Sequence, residues 1–290
     1  MTDANRTVSD RIHDKLDEMT RAERQLALSV LENYPASGLG PLAALAKGAN
    51  VSVPTVARMV QKLGYKGYPE FQANLRDELG AIAKGPIAKH ETWAGSAPSE
   101  HILNRFTEAV IENIRSTLAH IDPKDFDRAC ELVADQGRHL YIVGGRITHT
   151  MAEYLFLHMQ VIRPNLTHVP STSNTWPHYL LNAQEGDVFV VFDVRRYENN
   201  TLKLAEMARA RGAKIVLFTD QWRSPVHRLA DVCLTCRIIV PSAWDSAATT
   251  MLLVESMISQ VQTLQWSGTK DRMQELEEIF DNTKLFRKFT

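Results

Sequence analysis

The chain has 290 residues, 44% of them apolar, with 33 basic and 34 acidic side chains and a formal net charge of −1. That length predicts about two domains in an ordinary globular protein. No run approaches the about 20 apolar residues of a membrane span. The opening MTDANRTVSDRIHDKL has no apolar core of a secretory signal, and Cys130, Cys233 and Cys236 make no disulfide framework. A reducing, cytoplasmic setting without a membrane partner is therefore expected.

In chain order, Ser9 to Met19 reads as an amphipathic helix with Ile12, Leu16 and Met19 inward. Thr20 and Glu23 have capping-box spacing before a second helix carrying Leu26, Leu28, Val30 and Leu31, which stops before Pro35. Leu42 to Tyr68 then reads as two short helices around a turn. Leu42, Leu45 and Ala46 give the first an apolar face, and Gly48 to Val51 interrupts it. Ser52 is placed to cap the second helix and Pro54 suits its first turn. Val56, Val60 and Leu63 form the inward stripe, with Thr55, Arg58, Met59 and Lys62 expected outward and Gly64 ending the helix.

This pattern fits a helix-turn-helix, and equally a plain helical hairpin. Charge favours the first reading. From Pro41 to Arg76 the basic residues are Lys47, Arg58, Lys62, Lys66 and Arg76, against Glu70 alone, as phosphate neutralisation requires. Bases and phosphates would meet Ser52, Thr55, Arg58, Met59 and Lys62, with Lys47, Lys66 and Tyr68 on the DNA backbone. A further helix opens at Tyr68-Pro69 and runs through Leu79, so residues 1–80 make a five-helix DNA-binding domain.

Glycine, proline and small residues mark 81–100 as a linker. Pro98 to Ala119 reads as a long helix with Ile102, Phe106, Val110, Ile114 and Leu118 on one stripe, suited to a core or to a subunit contact. A helix from Asp122-Pro123 follows. Apolar strands at His139–Val143, Leu166–Val169, Asp187–Asp193, Lys214–Thr219 and Val232–Val240 then alternate with helices. Such alternation predicts a parallel sheet covered on both faces, with ligands beyond the carboxyl ends of its strands. Residues 101–266 thus form an α/β domain, and 267–290 a C-terminal helix. Cys233 and Cys236 lie in a strand, where positions three apart face opposite ways, which argues against a redox or zinc pair.

Several stretches resemble the RpiR (MurR/RpiR) family of bacterial transcriptional regulators. They are Met19-Thr20-Arg21-Ala22-Glu23-Arg24, Ala46 to Ser52, Thr55-Val56-Ala57-Arg58 and Lys62-Leu63-Gly64-Tyr65-Lys66-Gly67-Tyr68-Pro69-Glu70-Phe71. Glu185-Gly186-Asp187-Val188, Ala208 to Ile215 and Ser224 to Asp231 are similar to the frame of a sugar-isomerase (SIS) domain. The resemblance implies an all-α helix-turn-helix bundle followed by a three-layer αβα sandwich with a five-stranded parallel sheet. It further implies dimerisation and a phosphorylated-sugar ligand that alters DNA binding.

The chain departs from the SIS pattern where ligand would sit. A G-x-G-x-S turn becomes Gly144-Gly145-Arg146-Ile147-Thr148, and the S-x-S-G-x-T cradle becomes Asp193-Val194-Arg195-Arg196-Tyr197-Glu198. Asp193 would repel a phosphate, while guanidinium forks bind carboxylates or phosphates. The expected effector site holds Gly144, Gly145, Arg146, Thr148, His149, Ser171, Ser173, Asp193, Arg195, Arg196, Tyr197 and Ser246. The alternative is an ion-pair network filling a disused pocket.

The expected protein is a homodimer or homotetramer that binds a double-stranded DNA operator and a small anionic metabolite, with no cofactor, metal or catalytic residue. A sugar-phosphate isomerase using Glu198 and His149 is the rival reading.

Overall fold

The computed structural model describes residues 6–94 and 101–286. The chain divides into two compact units. The first is built on residues up to 109 with the short segments 221–228 and 240–245. The second holds 110–220, 229–239 and 246 onward.

The first unit is helical. Helix α1 (Val8–Lys15) opens with a Thr7–Asp10 capping box, and α2 (Arg21–Glu32) with the Thr20–Glu23 box expected from sequence. The single helix expected over 9–19 instead tightens into a 3-10 turn at Leu16–Glu18. Helices α3 (Leu42–Gly48) and α4 (Val53–Lys62) form the helix-turn-helix pair, followed by α5 (Tyr68–Ala83). The Ser52 Oγ accepts the Thr55 N–H at 3.4 Å, and Gly64, at φ +91°, closes α4. Val8, Ile12, Leu26, Val30, Val56, Val60, Phe71 and Leu75 are fully buried, each contributing roughly 1.5–3 kcal/mol. Leu28, expected inward, is 56% exposed.

The stretch read as a linker contains a helix, α6 (Pro86–Ala94), since Pro86 suits a first turn and only small or helix-compatible residues follow. Its Gly95-Ser96 and Pro98, and the expected start of the long helix, lie outside the described residues. That long helix is α7 (Ile102–His120). Its buried side chains are Asn113, which donates to the Ile239 carbonyl at 2.8 Å, and Thr117, whose Oγ1 accepts the Arg237 N–H at 2.9 Å. Ile102 and Leu118 of the apolar stripe are more than half exposed.

In the second unit, α8 (Pro123–Ala134), capped by Asp122, precedes a sheet of five parallel strands. These are β1 (Leu140–Gly144), β2 (Leu166–Val169), β3 (Val188–Phe192), β4 (Lys214–Asp220) and β5 (Val232–Cys236), in the order β2-β1-β3-β4-β5. The crossovers carry α9 (His149–Ile162), the short α10 (Trp176–Leu180) and α11 (Asn199–Ala210). Helix α12 (Ala248–Leu264) follows the sheet and α13 (Trp266–Thr283) closes the described chain. Strands β1 and β3 are buried along their whole length, as a doubly covered parallel sheet demands. The fully buried Arg163 donates to the carbonyls of Val133, Arg138 and Pro164, tying the ends of α8 and α9 to the start of β1. The five-stranded αβα expectation holds. The fifth strand stops at Cys236 rather than Val240.

Candidate functional site

Helix α4 packs on α2, α3 and α5, so its buried sector is two rows wide. Val56, Val60 and Leu63 point inward as expected, but Thr55 and Met59 are buried with them. The outward expectation for those two is corrected. The exposed face is Ser52, Val53, Pro54, Arg58 and Gln61, flanked by exposed Lys47 and Lys66. Gln61 was missed. It lies three residues beyond Arg58, a helical spacing that would have found it.

Two more expected DNA contacts, Lys62 on bases and phosphates and Tyr68 on the backbone, have structural partners. Lys62 pairs with Glu23 at 2.7 Å and donates to the Glu18 carbonyl at 2.8 Å. Burial opposes ionisation of Glu23, but hydrogen bonds from Lys62 and Thr20 outweigh it and hold the carboxyl below its usual range. The buried Tyr68 hydroxyl donates to the carbonyls of Gly38 and Gly40.

At the carboxyl edge of the sheet, the β1–α9 turn and the β3–α11 turn lie side by side. Thr148 Oγ1 accepts the Gly145 N–H at 2.8 Å and donates to the Phe192 carbonyl at 2.9 Å. The Arg146 N–H donates to Glu198 Oε1 at 2.8 Å. A Cβ on Gly145 would stand 2.6 Å from that same oxygen, so glycine leaves the room that the carboxylate fills. Arg195 donates its backbone N–H to Asp220 Oδ2, and the Tyr197 hydroxyl donates to Asp220 Oδ1, each at 2.7 Å. Burial, then the carboxylates of Asp220 and Asp193, push the Tyr197 phenol well up, so it stays protonated and donating. Asp193 is buried, with Oδ1 3.4 Å from the Glu198 N–H.

Backbone amides that could cradle a ligand anion therefore already face the chain's own carboxylates. The Arg146 and Arg196 side chains are exposed at this edge, and Arg195 is half-buried. Asp220 was not singled out from sequence, although an acid closing a parallel strand was a usable signal.

The other expected effector residues are less convergent. His149 stacks on His168 of β2 at 4.4 Å, and His149 Nδ1 and His168 Nε2 have no hydrogen-bond partner. Burial, then the neighbouring His149, lower the His168 pKa. Ser173 Oγ accepts from Asn200 at 2.9 Å, while Ser171 is exposed. The buried Ser246 uses its Oγ to accept the Ala248 N–H at the start of α12. A cleft of about 540 Å³ near the amino ends of the strands is lined by Arg138, His139, Thr167, His178, Tyr179 and Asp187, away from the expected edge.

Among the described residues, no cluster of three His, Cys, Asp or Glu side chains could hold a metal ion. Cys233 and Cys236 fall on opposite faces of β5, and burial pushes the Cys236 thiol up to about 12, so neither forms a thiolate pair. No helix among the described residues is long and apolar enough to cross a membrane.

Two family models match in tandem. The helix-turn-helix domain of the rpiR family covers residues 7–81, and the SIS domain covers 133–260. The chain belongs to the RpiR family. Among curated relatives, the HTH-type transcriptional regulator HexR of Pseudomonas aeruginosa is 29% identical over 226 residues, covering 78% of this chain and 77% of that protein. HexR of Escherichia coli K12 is 23% identical over 235 residues, covering 78% and 76%. Among solved structures, the NanR protein of Vibrio vulnificus complexed with ManNAc-6P shares this fold with a TM-score of 0.55. It is 19% identical and covers 97% of this chain and all of that one. The sugar isomerase domain of an RpiR transcription factor from Sphaerobacter thermophilus gives 0.57 at 22% identity, covering 61% of this chain and 97% of that one.

Proposed function

We propose that this RpiR-family chain is a cytoplasmic, homo-oligomeric transcriptional regulator that binds a double-stranded operator through α4. Its SIS domain takes a small anionic metabolite that changes operator affinity. The observation that carries the reading is the exposed polar and basic face of Ser52, Arg58 and Gln61, flanked by Lys47 and Lys66, on a helix whose other sides are packed. Arg58 and Gln61 suit base edges, and the lysines suit phosphates. Two heads in a symmetric oligomer would read a pseudo-palindrome.

For the effector, support comes from the arginines at the carboxyl edge and from the sugar phosphate present with NanR. A sugar phosphate, a sugar acid or another carboxylate fits that chemistry. The bound anion and the operator would be coupled sites, each altering affinity for the other. No catalytic role is assigned: the expected acid–base candidates have other engagements, Glu198 at the Arg146 amide and His149 against His168.

The test is fluorescence anisotropy of the full chain on DNA from upstream of its own gene. Salt is titrated first, then a panel of sugar phosphates, sugar acids and carboxylates is added. The regulator reading expects affinity to fall linearly in log–log form with salt, and one anion to shift it. Absence of DNA binding, together with turnover of a sugar phosphate, would replace this reading with the isomerase one.

A further inference from the structure

The SIS site proposed above has an occupant of its own. We propose that the Glu198 carboxylate is a resident competitor that holds the anion seat until an effector's phosphate or carboxylate displaces it. This rests on the reading of the carboxyl edge as the effector site.

Three observations carry it. The Glu198 carboxylate receives the Arg146 N–H at 2.8 Å, the kind of bond that a glycine turn before a helix offers to an incoming oxyanion. Gly145 has no side chain where that carboxylate lies, since a Cβ there would be 2.6 Å from Oε1 and 2.9 Å from the carboxyl carbon. The Glu198 backbone belongs to the turn before α11, and the residue is that helix's N-cap, yet its side chain makes no cap hydrogen bond. It reaches instead across to the neighbouring turn.

Neutral hydroxyls would share such a seat with an anion, whereas a carboxylate excludes one. Like charges at van der Waals distance repel, and the amide has one proton to donate. The ligand must therefore supply more than the Glu198 bond supplies, and Arg146, with Arg196 exposed on the other turn, is the group available to pair a second negative charge. The arrangement makes Glu198 a specificity-determining residue. It raises the threshold against inorganic phosphate and simple carboxylates, and passes ligands that also bind elsewhere along the edge.

The experiment is calorimetric titration of the full-length wild type, Glu198→Ala and Glu198→Gln with inorganic phosphate and with the sugar-phosphate and sugar-acid panel. Thermal melts check that each variant is folded. Phosphate affinity is expected to rise about tenfold or more in Glu198→Ala. In Glu198→Gln, whose amide oxygen still accepts the Arg146 N–H, it should rise less. Equal affinity in all three proteins, with binding abolished by Arg195→Glu, would overturn the competitor and leave the effector site standing. Weaker phosphate binding in Glu198→Ala would make Glu198 a ligand-binding group and likewise overturn it. Absence of any anion binding in all three would overturn both readings.

Discussion

Arg58 and Met59 are neighbours in sequence and face opposite ways: the guanidinium is in solvent, and the thioether is fully buried among α2, α3 and α5. Their substitutions should therefore separate recognition from folding. Arg58→Ala is expected to weaken operator binding with little change in stability, read by anisotropy at fixed salt. Met59→Ala should cost about 2–5 kcal/mol in urea unfolding, with any loss of DNA binding following the unfolded fraction. Glu23 gives a pH prediction at the same scale. Its folded pKa lies below the unfolded value of 4.5 because Lys62 and Thr20 bond the charged form. The stability it contributes is full above that value and is lost as pH falls through the folded pKa. Wild type should thus exceed Glu23→Gln in stability near neutral pH, and the gap should narrow as pH falls below the unfolded value and through the folded one. A gap constant with pH would mean that packing of the side chain, not its charge, is responsible.

Between elements, the two turns at the carboxyl edge depend on each other, and the paired glycines of the first report this differently. A Cβ at Gly144 would meet the Thr148 carbonyl carbon at 2.5 Å, backbone that cannot swing aside. A Cβ at Gly145 would meet only the far end of Glu198. Gly145→Ala is accordingly expected to destabilise the wild type by about 1–2 kcal/mol, through loss of the Glu198 hydrogen bond. In a Glu198→Ala background the same change should be nearly neutral. Gly144→Ala should be costly in both. Denaturant unfolding of the four Gly145/Glu198 combinations forms a double-mutant cycle, and its coupling energy measures the link between the turns.

Across the whole molecule, what was legible in the sequence is what local chemistry enforces. Thr20 with Glu23, Ser52 with Pro54 and Gly64 at φ +91° each mark an element end where expected, because capping and left-handed backbone involve only neighbouring residues. The all-parallel sheet followed from runs such as Val188–Phe192, apolar at every position. What was not legible depends on which partners surround an element. Thr55 and Met59 were misplaced because a helix packed on three others buries more than one stripe. The apolar stripe of α7 left a core face and a subunit contact open, and the buried pair is instead Asn113 and Thr117, chosen by the carbonyl and amide that β5's following segment presents. At the sheet edge, the altered letters at 193–198 were visible, but Glu198 reaching across to Arg146 belongs to two turns distant in sequence.

The strand order has a consequence for how the chain comes to be made. The helical frame of α1 to α5 closes mostly between residues near in sequence. Strand β1, by contrast, finds one neighbour at Leu166 and the other at Val188, and β4 must exist before β3 is covered on its far side. Long-range parallel pairing is slow, and synthesis delivers the N-terminus first. On the ribosome, helices α1 to α5 therefore pack while the sheet is still a set of unpaired strand edges, and segments 221–228 and 240–245 join their unit only with the later strands. During that interval a nascent chain carries a packed helix-turn-helix pair with no sheet domain behind it.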